Sequence, residues 1–336
     1  MTVAPAANGW ATCLVVSGNL LNLALPGRAF YANQEPLGNA EYDQKTRWLG
    51  AMFERLNADV LGVQEVWDEA ALKAAVARSG LRYTHVLAPG TEHGASGTPR
   101  VGLVTRLALE SVDSVAAFDP HDGVTVPELG VHARFERPVL VARLRLKHGQ
   151  PLHVLVAHLK SKRPKFLQTD DGEPLEDRDD PLVATRATLR SLLMRAAEAA
   201  ALRRIVIGVL QRTREPLLLL GDLNDAPHAA TSQLIAATGA AAHDREARDV
   251  ALYHAPDVQS EPGLRRDLGY SHVYQGWPDT LDQVWVSEEF VAESRHAIGD
   301  VRRVEYFNDH LHEGRERWRS DHGFVRALLR LRLPPG

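Results

Sequence analysis

The sequence holds a single cysteine, Cys13, among its 336 residues. One cysteine permits no internal disulfide and cannot build a cysteine-rich zinc site. It sits in the apolar run CLVV, so a buried thiol is expected there and not a nucleophile. An excess of one charge is also missing: 39 Lys and Arg stand against 43 Asp and Glu, a formal net charge of −4. Such a surface does not hold nucleic acid by bulk electrostatics, so polyanion binding needs basic residues gathered locally. No apolar stretch approaches the roughly 18 residues of a membrane span. No exposed apolar hairpin or amphipathic anchor is legible either, so no membrane partner is expected. No Lys or Arg precedes Arg28, which argues against a secretory leader; the expected location is the cytoplasm.

Several catalytic signatures are absent too. There is no His-Glu-x-x-His zinc helix, no Walker A or Gly-x-Gly-x-x-Gly nucleotide loop, and no Gly-x-Ser-x-Gly elbow. A calcium loop starting at Asp222 fails on position: Pro227 stands where glycine is needed and Gln233 where glutamate is needed. No internal repeat and no clear linker divides the chain, and no obligate protein partner is evident.

What is present is an ordinary globular composition, 44% apolar and 24% charged. The length allows one large α/β domain or two smaller ones; with no linker or repeat visible, one domain over residues 1–336, its core about 11–333, is the economical reading. CLVV (13–16) and DVLGVQ (59–64) read as strands. Between them DQKTRWLGAMFERLN (43–57) places Trp48, Met52 and Leu56 at i, i+4, i+8 with Leu49 and Phe53 beside them, an amphipathic helix. DEAALKAAVARSG (68–80) is a helix closed by glycine. VGLVTR, VLVARLRL and LHVLVAHL read as consecutive strands, a long helical pattern covers about 182–212, and TLDQVWVS and GFVRALLRL are the last strands. Strand runs mixed with helices point to antiparallel-rich sheets covered by helices. The acidic stretch RPKFLQTDDGEPLEDRDDP (163–181) reads as a solvated insertion.

Residues 217–227, LLLLGDLNDAP, carry a strand fit for a core straight into Asp222, Asn224 and Asp225. Burying an unpaired carboxylate costs several kcal/mol, roughly, unless a cation or hydrogen bonds compensate. Turn chemistry alone could account for one such cluster. The arrangement recurs, however: Asn19 follows CLVV, Glu65 ends DVLGVQ, His158 lies near the end of LHVLVAHL, Asp282 begins DQVWVS, and Asp321-His322 precede the last strand. Acids, amides and imidazoles at so many strand ends point to one pocket at the sheet edges. Carboxylate and amide oxygens suit a hard cation such as Mg²⁺ that also binds substrate phosphate, which points to phosphoester chemistry.

The ordered set SGNLLNL, ADVLGVQEVW, VGLVTR, VLVAHLKSKRP, LLLLGDLNDAP, TLDQVWVS and RSDHGFV resembles the endonuclease/exonuclease/phosphatase superfamily, from residue 13 to about 327. The resemblance implies an α/β four-layer sandwich: two mostly antiparallel β-sheets packed face to face and flanked by helices. It implies a Mg²⁺-dependent hydrolase of phosphodiester bonds, with Mn²⁺ as the alternative cation. Carried over residue by residue, Glu65 is the principal metal ligand, with Asn19 and Asp321 close to the metal. Asp222 orients and deprotonates water, Asn224 holds the phosphoryl oxygens, His158 contacts the phosphate, and His322 acts with Asp282 as its orienting carboxylate. SGN departs from the family's aromatic-Asn start.

Reaction type is clearer than substrate. Strand alternation puts Lys160 on the face of His158, within reach of a phosphate. Arg302, Arg303, Arg315, Arg317 and Arg319 cluster before the SDH motif, though Glu305, Glu313 and Glu316 are interleaved. Nucleic acid is the expected substrate; a phosphatase or small-molecule phosphodiesterase is the alternative. A non-catalytic binding module on the same fold is disfavoured because the site chemistry is intact.

Overall fold

In a computed structural model the described residues are 9–29, 31, 34–90, 98–169, 172–237, 239, 244–261, 269–314 and 316–333. Sixteen strands are found among them: β1 Trp10–Leu23, β2 Val60–Val66, β3 His85–Leu87, β4 Arg100–Thr105, β5 Ala108–Ala117, β6 Val124–Val126, β7 Gly130–His132, β8 Arg134–Arg145, β9 Pro151–His158, β10 Leu217–Asp222, β11 Leu252–His254, β12 His272–Tyr274, β13 Trp277–Asp279, β14 Asp282–Ser287, β15 Gly299–Phe307 and β16 Phe324–Arg332. The main helices are α1 Asn39–Leu56, α2 Glu69–Arg78, α3 Pro181–Leu210 and α4 Ala230–Ala236.

Two six-stranded sheets carry the fold, ordered β15-β16-β1-β2-β4-β3 and β11-β14-β10-β9-β8-β5. Three cores separate four layers. Val15, Val60, Val156, Leu218, Leu220 and Val284 fill the space between the sheets. Val16, Leu61 and Val63 face Leu49, Phe53 and Leu72 of α1 and α2. On the far side Leu217, Leu219 and Leu155 face Leu202 and Val206 of α3. This explains the unbroken LLLL: alternate leucines enter cores on opposite faces, and a strand covered on both sides carries no polar alternation. Each buried leucine contributes about 1.5–3 kcal/mol. The sheets approach closely at Gly62, where a Cβ would meet Leu220 Cβ at 2.9 Å. Alanine there would force the sheets apart.

The α/β four-layer sandwich expected from the sequence is therefore the observed fold, and its topology places the site. Each sheet is antiparallel except for one central parallel pair, β1–β2 in the first and β9–β10 in the second. Parallel neighbours bring their C-terminal ends to the same edge. The antiparallel neighbours β16 and β14 bring their N-terminal starts there. Thus Asn19, Glu65, His158 and Asp222 from strand ends meet Asp282 and Asp321-His322 from strand beginnings.

Two sequence expectations change. VGLVTR is β4 of the first sheet, while VLVARLRL and LHVLVAHL belong to the second, with the unforeseen edge strand β5 between them. The 163–181 stretch is more than a solvated insertion. Arg190 of α3, itself buried, donates to Lys165 O at 3.1 Å and to both Glu176 carboxylate oxygens at 2.8 Å, and so anchors the loop.

Candidate active site

Local backbone geometry delivers the side chains. β1 and β2 both break register at the site, between Asn19 and Leu23 and between Val63 and Val66. Leu21, Asn22 and Glu65 take φ of 49°, 52° and 61°, the left-handed region that bulky residues avoid. Bulges re-aim a side chain at the cost of ladder bonds, and such strain persists only where the surroundings over-determine it. Here they do: the Asn22 N–H donates to Glu65 Oε2 at 2.9 Å, and the Trp67 indole donates to Asn22 Oδ1 at 2.9 Å. In the second sheet, pairing aligns His158, Asp222 and Asp282 in one row across β9, β10 and β14. Asn224, φ 54°, turns the chain away just beyond.

The two sheets meet at Asn19. Its Nδ2 donates to Glu65 Oε1 and to Asp222 Oδ2, both at 3.1 Å, while its Oδ1 accepts from Leu21 N at 2.9 Å. Asp222 Oδ1 accepts from Asn224 N at 2.9 Å, and His158 Nε2 lies 3.4 Å from Asp222 Oδ2. His322 Nδ1 lies 2.7 Å from Asp282 Oδ2 and 3.9 Å from Asp222 Oδ2. Two serines brace these groups. Ser320 Oγ donates to Asn19 O at 2.6 Å and accepts from His322 N at 3.0 Å. Ser271 Oγ accepts from Asp282 N at 2.8 Å.

Electrostatics separate the two histidines. Burial, with Arg137 and His322 adding like charge, pulls the His158 imidazole well below its usual range, so it is neutral. Burial also opposes charge on His322, but the Asp282 and Asp222 carboxylates outweigh it and hold the imidazole well above its usual range. Burial raises the Asp222 carboxyl, with His322 acting in the other direction. Burial and the nearby Asp321 raise Glu65.

These groups floor a cleft of about 920 Å³. Glu65, Asp321, His158, Asp222, Asn224 and His322 line it; Asn19 and Asp282 stand behind as supports. Lys160 does not line it, because β9 ends at His158 and the alternation that aligned the two residues ends there. The Lys160 side chain is buried, with Nζ 3.4 Å from Ser161 O and Oγ. Lys162 and Arg163 line the wall instead, with Arg137 and Arg317. Of the arginine cluster, only Arg317 reaches the cleft among the described residues. Arg302, Arg303 and Arg319 pair with Glu261, Glu305 and Glu313, and Arg315 lies outside the described residues.

The sequence reading missed Arg137, which precedes a proline in β8 and has no neighbouring motif to mark it. It also missed Lys45, for which a signal existed: Lys45, Leu49, Met52 and Leu56 fall on one helical face, so a lysine stands in the apolar stripe. Its ammonium is buried, donates to Arg317 O at 3.2 Å, and is pulled by burial down to about 8 against the attraction of Glu65 and Asp321.

The donor set fits a hard divalent cation. Glu65 is bonded to Asn19 and Asn22 donors only, and among the described residues no cationic nitrogen lies within 4 Å of its oxygens. Asp321 carries a second carboxylate to the same cleft. Asp222, Asp282 and His322 also bring potential ligand atoms within 4.8 Å of one another, though the His322–Asp282 bond already engages one atom of each.

A four-layer sandwich whose cleft holds this combination is a phosphoesterase. The chain belongs to the endonuclease/exonuclease/phosphatase family, whose profile matches residues 37–322, and it is therefore a hydrolase of phosphoester bonds. No curated protein matches it in sequence. Among solved structures it resembles the human Nocturnin catalytic domain with bound sulfate, at 17% identity and TM-score 0.56, covering 95% of this chain and 96% of that one. Zebrafish TDP2 complexed with a single strand DNA product aligns at 12% identity and TM-score 0.53, covering 95% and 99%. The mannosyl-6-phosphatase Bt3783 of Bacteroides thetaiotaomicron aligns at 15% identity and TM-score 0.56, covering 94% and 99%. Members of this family depend on divalent metals, and identities this low establish the shared fold alone. No helix among the described residues is long and apolar enough to cross a membrane.

Proposed function

We propose that the chain is a Mg²⁺-dependent phosphodiesterase that cleaves nucleic acid, with Mn²⁺ as the alternative cation. The observation that carries this reading is the buried Asp222 carboxylate at the cleft floor, fixed by Asn19 and Asn224 and flanked by the His322 imidazolium. Asp222 orients the attacking water and takes its proton; burial, by raising its basicity, makes it a better acceptor near neutral pH. His322, oriented through Nδ1 by Asp282, leaves Nε2 to donate to a phosphate oxygen as charge builds there. Neutral His158 and Asn224 add further donors to the phosphoryl group. Glu65, with Asn19 and Asp321 beside it, would hold a hard divalent cation, which would supply charge neutralisation at the phosphoryl oxygens.

Support for a polymeric substrate comes from the cleft's size, far beyond one phosphoryl group, and from Arg137, Lys162, Arg163 and Arg317 along its walls. Lateral cations of this kind track a phosphate backbone. The same proposal takes residues 1–336 as one domain, since β1 and β16 from the chain's two ends pair in the sheet that carries Asn19. It needs no membrane and no protein partner, and it keeps the cytoplasm as the expected location.

A substrate panel tests it: single- and double-stranded DNA, RNA, phosphomonoesters and bis-p-nitrophenyl phosphate, each with Mg²⁺, Mn²⁺ or EDTA. Oligonucleotide cleavage that vanishes in EDTA and whose KM rises steeply with salt is expected. Glu65→Gln should raise the Mg²⁺ concentration needed for half-maximal rate. Strong phosphomonoester turnover with no polymer cleavage would favour the phosphatase alternative.

A further inference from the structure

β12 and β13 form a two-stranded ribbon whose pairs are His272 with Asp279, Val273 with Pro278, and Tyr274 with Trp277. Gln275 and Gly276 close it with φ of 49° and 84°. Two successive positive φ values are the pattern of the tight type I′ hairpin. Flanking this turn, Tyr274 is 62% exposed and Trp277 77% exposed, and both line the cleft. Directly opposed aromatics ordinarily bury area against each other or a neighbour. Among the described residues, neither ring here stacks on another, and neither the Tyr274 hydroxyl nor the Trp277 indole N–H has a hydrogen-bond partner.

The ribbon is tied to the reacting groups at its base. Ser271 O accepts from Gly323 N at 2.6 Å, and Ser271 Oγ accepts from Leu281 N and Asp282 N at 3.1 and 2.8 Å. The His272 ring lies 4.7 Å from that of His322. Lys162, a cation of the cleft wall, bonds Asp279 Oδ2 at 3.0 Å. Tyr274 therefore stands two strand residues, about 7 Å, beyond the histidine whose tilted ring lies against His322. At the duplex rise of about 3.4 Å per nucleotide that span is about two nucleotides, and it is fewer in a more extended single strand.

We propose that Tyr274 and Trp277 form a stacking subsite for one unpaired nucleobase beside the scissile phosphate, so that the enzyme favours single-stranded over duplex phosphodiesters. This rests on the nuclease reading above. A sugar phosphate presents hydroxyls that need hydrogen-bond partners, whereas Val273, Tyr274, Trp277 and Pro278 offer apolar and aromatic faces. Every base has a π-face to lay on them, and the cationic wall meets the phosphate next to it. In a duplex that face is already covered by the neighbouring base pairs.

The test compares wild type with Trp277→Ala, Tyr274→Ala and Trp277→Phe, all exposed positions where folding is not at stake. Substrates are a single-stranded oligonucleotide, its duplex, and the same strand bearing tetrahydrofuran abasic residues, with Mg²⁺. Binding of the dinucleotide pTpT is followed separately by tryptophan fluorescence. Wild type should prefer the single strand. In Trp277→Ala the ratio of kcat/KM for the base-bearing strand to that for the abasic strand should fall roughly 5- to 100-fold, through KM, with recovery in Trp277→Phe. An unchanged ratio, with oligonucleotides still cleaved, overturns the subsite and leaves the nuclease reading standing. Quenching by pTpT that Trp277→Ala abolishes, without cleavage of any oligonucleotide, upholds the subsite and overturns the nuclease reading. Quenching by phosphatidylcholine vesicles but not by pTpT would overturn the subsite in favour of a lipid surface.

Discussion

Asn19 donates from one amide nitrogen to Asp222 Oδ2 at 3.1 Å, across 203 positions of chain and from one sheet to the other. The same nitrogen donates to Glu65 Oε1 at 3.1 Å. One carboxamide thus fixes the distance between the carboxylate assigned to the cation and the carboxylate assigned to water, and it does so without adding charge.

Asn19→Asp should be worse than its size implies. A third carboxylate would repel both neighbours, and two donors would become acceptors facing acceptors. We expect a stability loss of about 1–3 kcal/mol from the unmet buried groups and a rate loss above roughly 100-fold. Chemical denaturation and steady-state kinetics on the same preparation check both. A variant with wild-type stability and rate would remove Asn19 from the account.

Asp282 and His322 should behave as one unit. His322→Ala is expected to reduce kcat by roughly 10²–10⁴, Asp282→Ala by less, and the double variant by little more than His322→Ala alone. Kinetics on all four proteins, each checked by thermal melt, make the comparison. Multiplicative losses would show that the 2.7 Å bond between them does not serve the reaction.

Acid stability should report the loop anchor. Arg190 hydrogen bonds, helped by the Leu167 N–H, hold the Glu176 carboxyl down to about 2, from an ordinary value near 4.5. A carboxyl depressed by folding contributes stability that is present above about 4.5 and is lost as pH falls from there through about 2. Glu176→Gln should therefore lower the melting temperature at pH 6–7, and the gap from wild type should close between pH 4.5 and 2. A gap constant with pH would mean that the charge contributes nothing.

Much of this was legible because apolar runs and strand-end polar residues are local signals. LLLLGDLNDAP discloses both a strand covered on two faces and the carboxylate at its end. Asn19, Glu65, His158 and Asp282 were legible for the same reason. Lys160 was not, because alternation says nothing of where a strand stops, and β9 stops at His158. Trp277 stands out in the sequence as an aromatic flanking a site motif, but the ribbon that pairs it with Tyr274 was not legible, since three-residue strands leave too short a pattern. Arg137 reaches the cleft through packing between distant segments, which no sequence window contains.

The most direct test of the central claim is the single-turnover rate of Asp222→Asn on a single-stranded oligonucleotide with saturating Mg²⁺. The substitution is nearly isosteric and spares the backbone, so the melting temperature should stay within a few degrees of wild type. The account predicts a rate loss of at least roughly 100-fold, because an amide cannot take the proton of the attacking water. A folded variant with near-normal turnover would make Asp222 a turn residue and contradict the account.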